Sequence, residues 1–213
     1  MGSIQKAMIQ LSVPELVNLD QESVLSYYKH WIWNFNLLDT EIPNDIKESD
    51  HFVSSNNNRK KWNNHPSRSF LKKESQWVEE YTKCIHSLFA NLIHGFSEDI
   101  QSTFTNTWPW MTSENMGKVS SFTNIVCDQN GHKMNTHLDN RRTVLVAIVN
   151  LEENKEGTKF WDYKDPNKLI YSCPGTKGHG VIFMNTAGSL HSINVEQDTP
   201  RLTAQTQLSL YIK

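Results

Sequence analysis

Apolar positions along this chain follow two rhythms, and the change falls near residue 117. In the first part the rhythm is helical. Val24, Tyr28, Trp31 and Phe35 recur at spacings of four, three and four behind Asp20, a side chain suited to an N-cap, which predicts a helix with one apolar face. Trp77, Tyr81, Ile85, Leu88 and Leu92 predict a second helix over about 74–94, with Gly95 placed to end it. Between them, residues 54–68 hold Asn56-Asn57-Asn58 and Arg59-Lys60-Lys61-Trp62 with no periodicity, the signature of a long polar loop.

Beyond residue 117 the apolar runs become short and β-branched. They cover 119–127, 143–151, 158–161, 169–173, 180–184, 189–195 and 202–212, separated by turn-forming clusters such as Asp128-Gln129-Asn130-Gly131 and Glu153-Asn154-Lys155-Glu156-Gly157. Closely spaced strands of this kind predict a sandwich or barrel. The fold class expected is α+β with a mainly β core, the helices packed on one sheet. One unit spanning 1–213 is expected, with 1–116 a mainly helical support region and 117–213 the β core.

Composition narrows the setting. The 213 residues suffice for one sizeable core, and seven Trp with nine Phe supply large packing units. Lys and Arg total 21 against 23 Asp and Glu, a net charge of −2, so no global field draws the chain to nucleic acid or an anionic membrane. The three cysteines, Cys84, Cys127 and Cys173, form no disulfide framework and read as reduced thiols in a cytoplasm. The start carries no apolar signal core, Lys6 stands where a myristoylation signal wants Ser or Thr, and no apolar run is long enough to span a bilayer.

The chemistry concentrates near the C-terminus. His137-Leu138-Asp139 is followed by His191 and, ten positions later, by Arg201. Two imidazoles and a carboxylate can occupy one face of an Fe(II) ion and leave the opposite positions open. An arginine fork can grip a dicarboxylic acid bidentately, and period two puts the Thr203 hydroxyl on the same strand face as Arg201. The His-x-Asp pair is by itself weak; its place just before the 143–151 strand, with His191 opening a later strand and Arg201 opening the last, gives it weight.

Rival signals are present. Cys127, His132 and His137 invite a zinc reading, but no tight pair such as C-x2-C accompanies them. His132 and His179 are substitute ligands if the register differs. The Arg59–Trp62 run combines charge with an aromatic, yet a solvated loop fits an acidic chain better than a nucleic-acid contact, and the loop could also fold over a site as a lid. Arg141 and Arg142 follow the His-x-Asp directly and are candidate substrate contacts; Trp110, beside Trp108, is another.

Gly180-Val181-Ile182-Phe183, His191 and Arg201-x-Thr203, downstream of His137-x-Asp139 and of Asn150 with Gly157-Thr158-x-Phe160, resemble the 2-oxoglutarate and Fe(II)-dependent oxygenases over about 119–212. The resemblance implies a double-stranded β-helix (jelly-roll) with Fe(II) on His137, Asp139 and His191. It also implies 2-oxoglutarate and O2 as co-substrates, the distal carboxylate of the keto acid resting on Arg201 and Thr203. Members often hold the co-substrate with a Tyr or Asn on the strand before the His-x-Asp; here that strand offers Asn124. Members that halogenate carry Gly or Ala in place of the aspartate, so Asp139 points to oxygenation. The expected reaction is hydroxylation of a C–H bond in a free amino acid or similar small polar substrate, with succinate and CO2 released. Hydroxylation of a protein side chain, as in prolyl-hydroxylase-like relatives, and a non-catalytic cupin-type metal-binding module are the alternatives.

Overall fold

The computed structural model describes residues 9–19, 29–38, 42–47, 52–54, 68–71, 75–95, 98–109 and 116–212. Among the described residues of the first half, short strands accompany the helices. This half contributes β1 (Gln10–Leu11), β2 (Glu15–Leu16), β3 (Ile32–Leu38), a short α1 (Asn44–Lys47), β4 (Phe52–Ser54) and β5 (Arg68–Leu71) before α2 (Gln76–Gly95) and α3 (Glu98–Thr107). The helix expected from Asp20 is corrected at its end, where Trp31 and Phe35 prove to belong to an extended segment. Trp31, Trp33 and Phe35 stand two apart as well as on a helical stripe, and all three are buried on one side while Asn34 and Asn36 alternate to the other. Residues 20–28 and 55–67, which carry the rest of that helix and the basic loop, lie outside the described residues.

The second helix forms as expected. Trp77, Tyr81, Ile85, Phe89 and Leu92 make its buried face, Phe89 taking the inward position expected of Leu88. That face packs with Trp33, Phe35, Leu145, Val149, Ile182 and Ala204 into one hydrophobic cluster. A run of hydroxyls adds polar stitching: Thr82 Oγ1 donates to Thr123 Oγ1 at 2.6 Å, and Thr123 lies 2.8 Å from Thr206.

The remaining strands are β6 (Met116–Asp128), β7 (Lys133–His137), β8 (Thr143–Asn150), β9 (Lys159–Trp161), β10 (Leu169–Ser172), β11 (His179–Met184), β12 (His191–Asn194) and β13 (Arg201–Ile212). They divide between two sheets. The larger runs β1-β3-β11-β8-β13-β6-β5-β4, with β2 also on β3; the smaller runs β10-β9-β12-β7. The eight C-terminal strands thus divide four and four into a β11-β8-β13-β6 layer and a β10-β9-β12-β7 layer. That antiparallel winding is the double-stranded β-helix. Strand β7 escapes the sequence pattern because its residues are mostly exposed and polar, as an edge strand of the smaller sheet permits.

Between the two sheets sits a second cluster of Ile32, Val146, Ile148, Phe160, Cys173, Val181 and Phe183. Along β11, Gly180 is required by the packing on the helix side: a Cβ there would meet the Phe35 ring at 2.4 Å. Gly131, at φ 79°, closes the turn from β6 into β7 in the left-handed region that glycine enters freely. No helix among the described residues is long and apolar enough to cross a membrane.

Candidate metal centre

His137 ends β7, Asp139 follows it by two residues, and His191 opens β12, the strand hydrogen-bonded beside β7. His191 and His137 are direct partners in the ladder, so their rings face each other with centroids 4.4 Å apart. His137 therefore ends a strand of its own, and Asp139 lies in the link that leads into β8, just before that strand as the sequence places it. One potential ligand atom from each of His137, Asp139 and His191 lies within 4.8 Å of the others. His191 Nε2 stands 3.9 Å from Asp139 Oδ2.

The hydrogen bonds decide which nitrogens face the ion. His137 Nδ1 lies 2.8 Å from the Asn135 carbonyl and His191 Nδ1 2.9 Å from the Ser189 carbonyl. A carbonyl only accepts, so each Nδ1 carries the hydrogen, and in the neutral ring each Nε2 keeps its lone pair for a metal. Two imidazoles and one carboxylate are the donor set of a mononuclear non-haem iron site with an open face. Donors around an ion with bonds of about 2.1 Å stand roughly 3 Å apart, so the trio fits such an ion after a small closing movement.

Asn185 was not legible as part of this site. Its Oδ1 accepts from the Asp139 amide at 3.1 Å, while its Nδ2 donates to the carbonyls of Asn140 and Thr143 at 3.0 and 3.1 Å. One buried carboxamide thereby holds the 139–143 turn and aims Asp139.

A cavity of about 150 Å³ connects this centre to Arg201, lined by His137, Asp139, His191, Asn124, Gln205 and Gln207 among others. Arg201 is 2% exposed. Its Nη1 donates to Asp128 Oδ2 and its Nη2 to Thr158 Oγ1, both at 3.4 Å. His132 Nε2 lies 3.5 Å from the other oxygen of Asp128, so His132 belongs to this end of the cavity and not to a metal site with Cys127. Thr203 is fully buried on the same strand face, its Oγ1 accepting from Gln205 Nε2 at 3.2 Å. Burial pushes the nearby Cys173 thiol up to about 12, while the Arg201 charge draws it back.

Other candidates fall elsewhere. Arg141 and Arg142 are exposed and outside the cavity lining, Arg142 lying over the Tyr211 ring at 5.3 Å from its centroid. His179 faces Asn34 Oδ1 at 3.3 Å, and burial lowers its pKa. Trp108 is part of the helix-side core; Trp110 lies outside the described residues.

No family model matches the chain, and no curated protein does. Solved structures do. A prolyl-4-hydroxylase from Pseudomonas putida is 9% identical, with a TM-score of 0.49 over 85% of this chain and 93% of that one. A viral collagen prolyl hydroxylase from Paramecium Bursaria Chlorella virus-1 is 11% identical, with a TM-score of 0.44 over 68% of this chain and 79% of its own. An oxidoreductase of the 2OG-Fe(II) oxygenase family from Burkholderia pseudomallei is 13% identical, with a TM-score of 0.34 over 58% of this chain and 57% of its own. This chain is similar to each of these three solved structures, one of them a member of the 2OG-Fe(II) oxygenase family. At such identities the likeness concerns the fold, and function rests on the site's own chemistry.

Proposed function

We propose that this chain is an Fe(II)- and 2-oxoglutarate-dependent dioxygenase that hydroxylates a C–H bond of a small polar substrate, a free amino acid or similar metabolite. The observation that carries the reading is a cavity with a two-imidazole, one-carboxylate trio at one end and a buried guanidinium at the other. His137, Asp139 and His191 would hold the iron, Asn185 and the two carbonyl acceptors fixing their aim. Arg201 and Thr203 would take the distal carboxylate of 2-oxoglutarate, with Asn124 on the facing strand beside its chain. Bound together, iron and 2-oxoglutarate supply the oxidising power that places one oxygen atom of O2 in a C–H bond, the other leaving in succinate.

The protein's own part is orientation and exclusion of water. Val146 and Ile148 form an apolar floor, and Phe160 and Phe183 pack at the rings of His191. The carboxamides of Gln205 and Gln207 offer donors and acceptors to a polar substrate in a small cavity.

Anaerobic addition of Fe(II) and 2-oxoglutarate should produce a weak visible charge-transfer band, and oxygen should then release succinate. Asp139→Ala should abolish succinate release. Undiminished succinate formation in that variant would remove the ligand assignment; absence of both signals from the unaltered chain would leave a non-catalytic binding module.

A further inference from the structure

The strand pair that delivers Arg201 also delivers a carboxylate against it. Asp128 is the direct ladder partner of Arg201 across β6 and β13. On its other side, the ladder register pairs Asp128 with position 68 of β5. Asp128 is 0% exposed and Arg201 2%, with Oδ2 and Nη1 3.4 Å apart. Thr158 and Arg201 line the cavity, and Asp128 stands behind them.

We propose that Asp128 is an internal counter-ion of Arg201 that sets how tightly the cavity holds any dicarboxylic acid, co-substrate and product alike. This rests on the reading that Arg201 receives the distal carboxylate of 2-oxoglutarate. A buried guanidinium at a cavity wall would be costly without a partner, and Asp128 supplies one. An arriving carboxylate then meets a guanidinium whose charge is already answered, with a fixed negative charge behind it. Whatever cations surround Asp128, its own charge acts on an arriving anion with one sign, and that sign is unfavourable. 2-Oxoglutarate and succinate share the distal carboxylate, so a fork with no counter-ion would retain the product as firmly as it captures the co-substrate. Asp128 lowers both affinities together and thereby favours release, a step that limits many enzymes.

Asp128 acts through Arg201 and is a positioning and tuning residue. Asp128→Asn keeps the shape and leaves an oxygen able to accept from Nη1, but removes the charge. The test is calorimetric titration of the chain loaded with Mn(II), comparing 2-oxoglutarate, succinate and 2-oxoglutaramate, whose distal carboxylate is an uncharged amide. In the unaltered chain the diacid and its amide should bind within about tenfold of each other. In Asp128→Asn, 2-oxoglutarate and succinate should tighten by about tenfold or more while the amide stays put. An unaltered chain that prefers the diacid by about a hundredfold, or an Asp128→Asn chain that binds diacids no tighter, overturns the proposal. If Asp128→Asn does not fold, the diacid-to-amide ratio of the unaltered chain decides alone. Arg201→Ala separates the layers of the argument. If it leaves 2-oxoglutarate affinity unchanged, the clamp assignment fails and the counter-ion with it. If it weakens binding and Asp128→Asn brings no gain, the counter-ion alone fails.

Discussion

Successive side chains of β13 enter two environments with opposite rules. Leu202, Ala204 and Leu210 join the cluster beneath the helices, with Trp33, Tyr81 and Phe89. Arg201, Gln205 and Gln207, interleaved with them, line the cavity, and Thr203 is buried on the same strand face. The helix side is dominated by apolar packing, the main source of stability. The cavity side buries Asp128, Arg201 and Thr203, groups whose desolvation must be offset by partners. One strand therefore serves stability and chemistry on alternate residues, and the two should be separable by mutation.

The strongest challenge to that separation is Phe89→Ala, on α2 and 2% exposed. It should cost about 3–5 kcal/mol in denaturant unfolding and leave Mn(II) affinity of the folded fraction unchanged. A parallel loss of metal affinity would show that the two faces are coupled. Asn185→Ala should do the reverse, weakening metal binding by about 10–100-fold, because Asp139 loses the acceptor that holds its amide. Thermal scans with saturating Mn(II) give the check, since the metal-induced rise in Tm should shrink in that variant. The smallest effect is expected from Thr206→Val, which removes one hydroxyl from the Thr82–Thr123–Thr206 chain at about 1 kcal/mol in stability with no change at the metal.

What could be read in advance follows from the range of the interactions. Period two along β13 places Arg201 and Thr203 together, and the strands 119–212 announce a two-layer β fold, because these signals are local. Asp128 reads as a turn residue beside Asn130 and Gly131; its partner Arg201 is 73 positions away, and only the β6–β13 register reveals the pairing. Asn185 is hidden for the same reason, its bonds to the 139–143 turn spanning more than 40 residues. In the first half, β1, β2, β4 and β5 are two to four residues long, too short for any period to show. Strand β3 was long enough, but Trp31 and Phe35 satisfy both rhythms, and docking on β11 selects the extended one.

The segment from the end of β6 through β7, which crosses from one sheet to the other, carries Asp128 and His132 at its turn and His137 at its far end. The ion-pair partner of Arg201 and the first candidate metal ligand thus hang from one piece of backbone, separated by a short turn and the five-residue β7. On the proposed reading, the length of that strand would set which carbon number of keto diacid fits between guanidinium and metal.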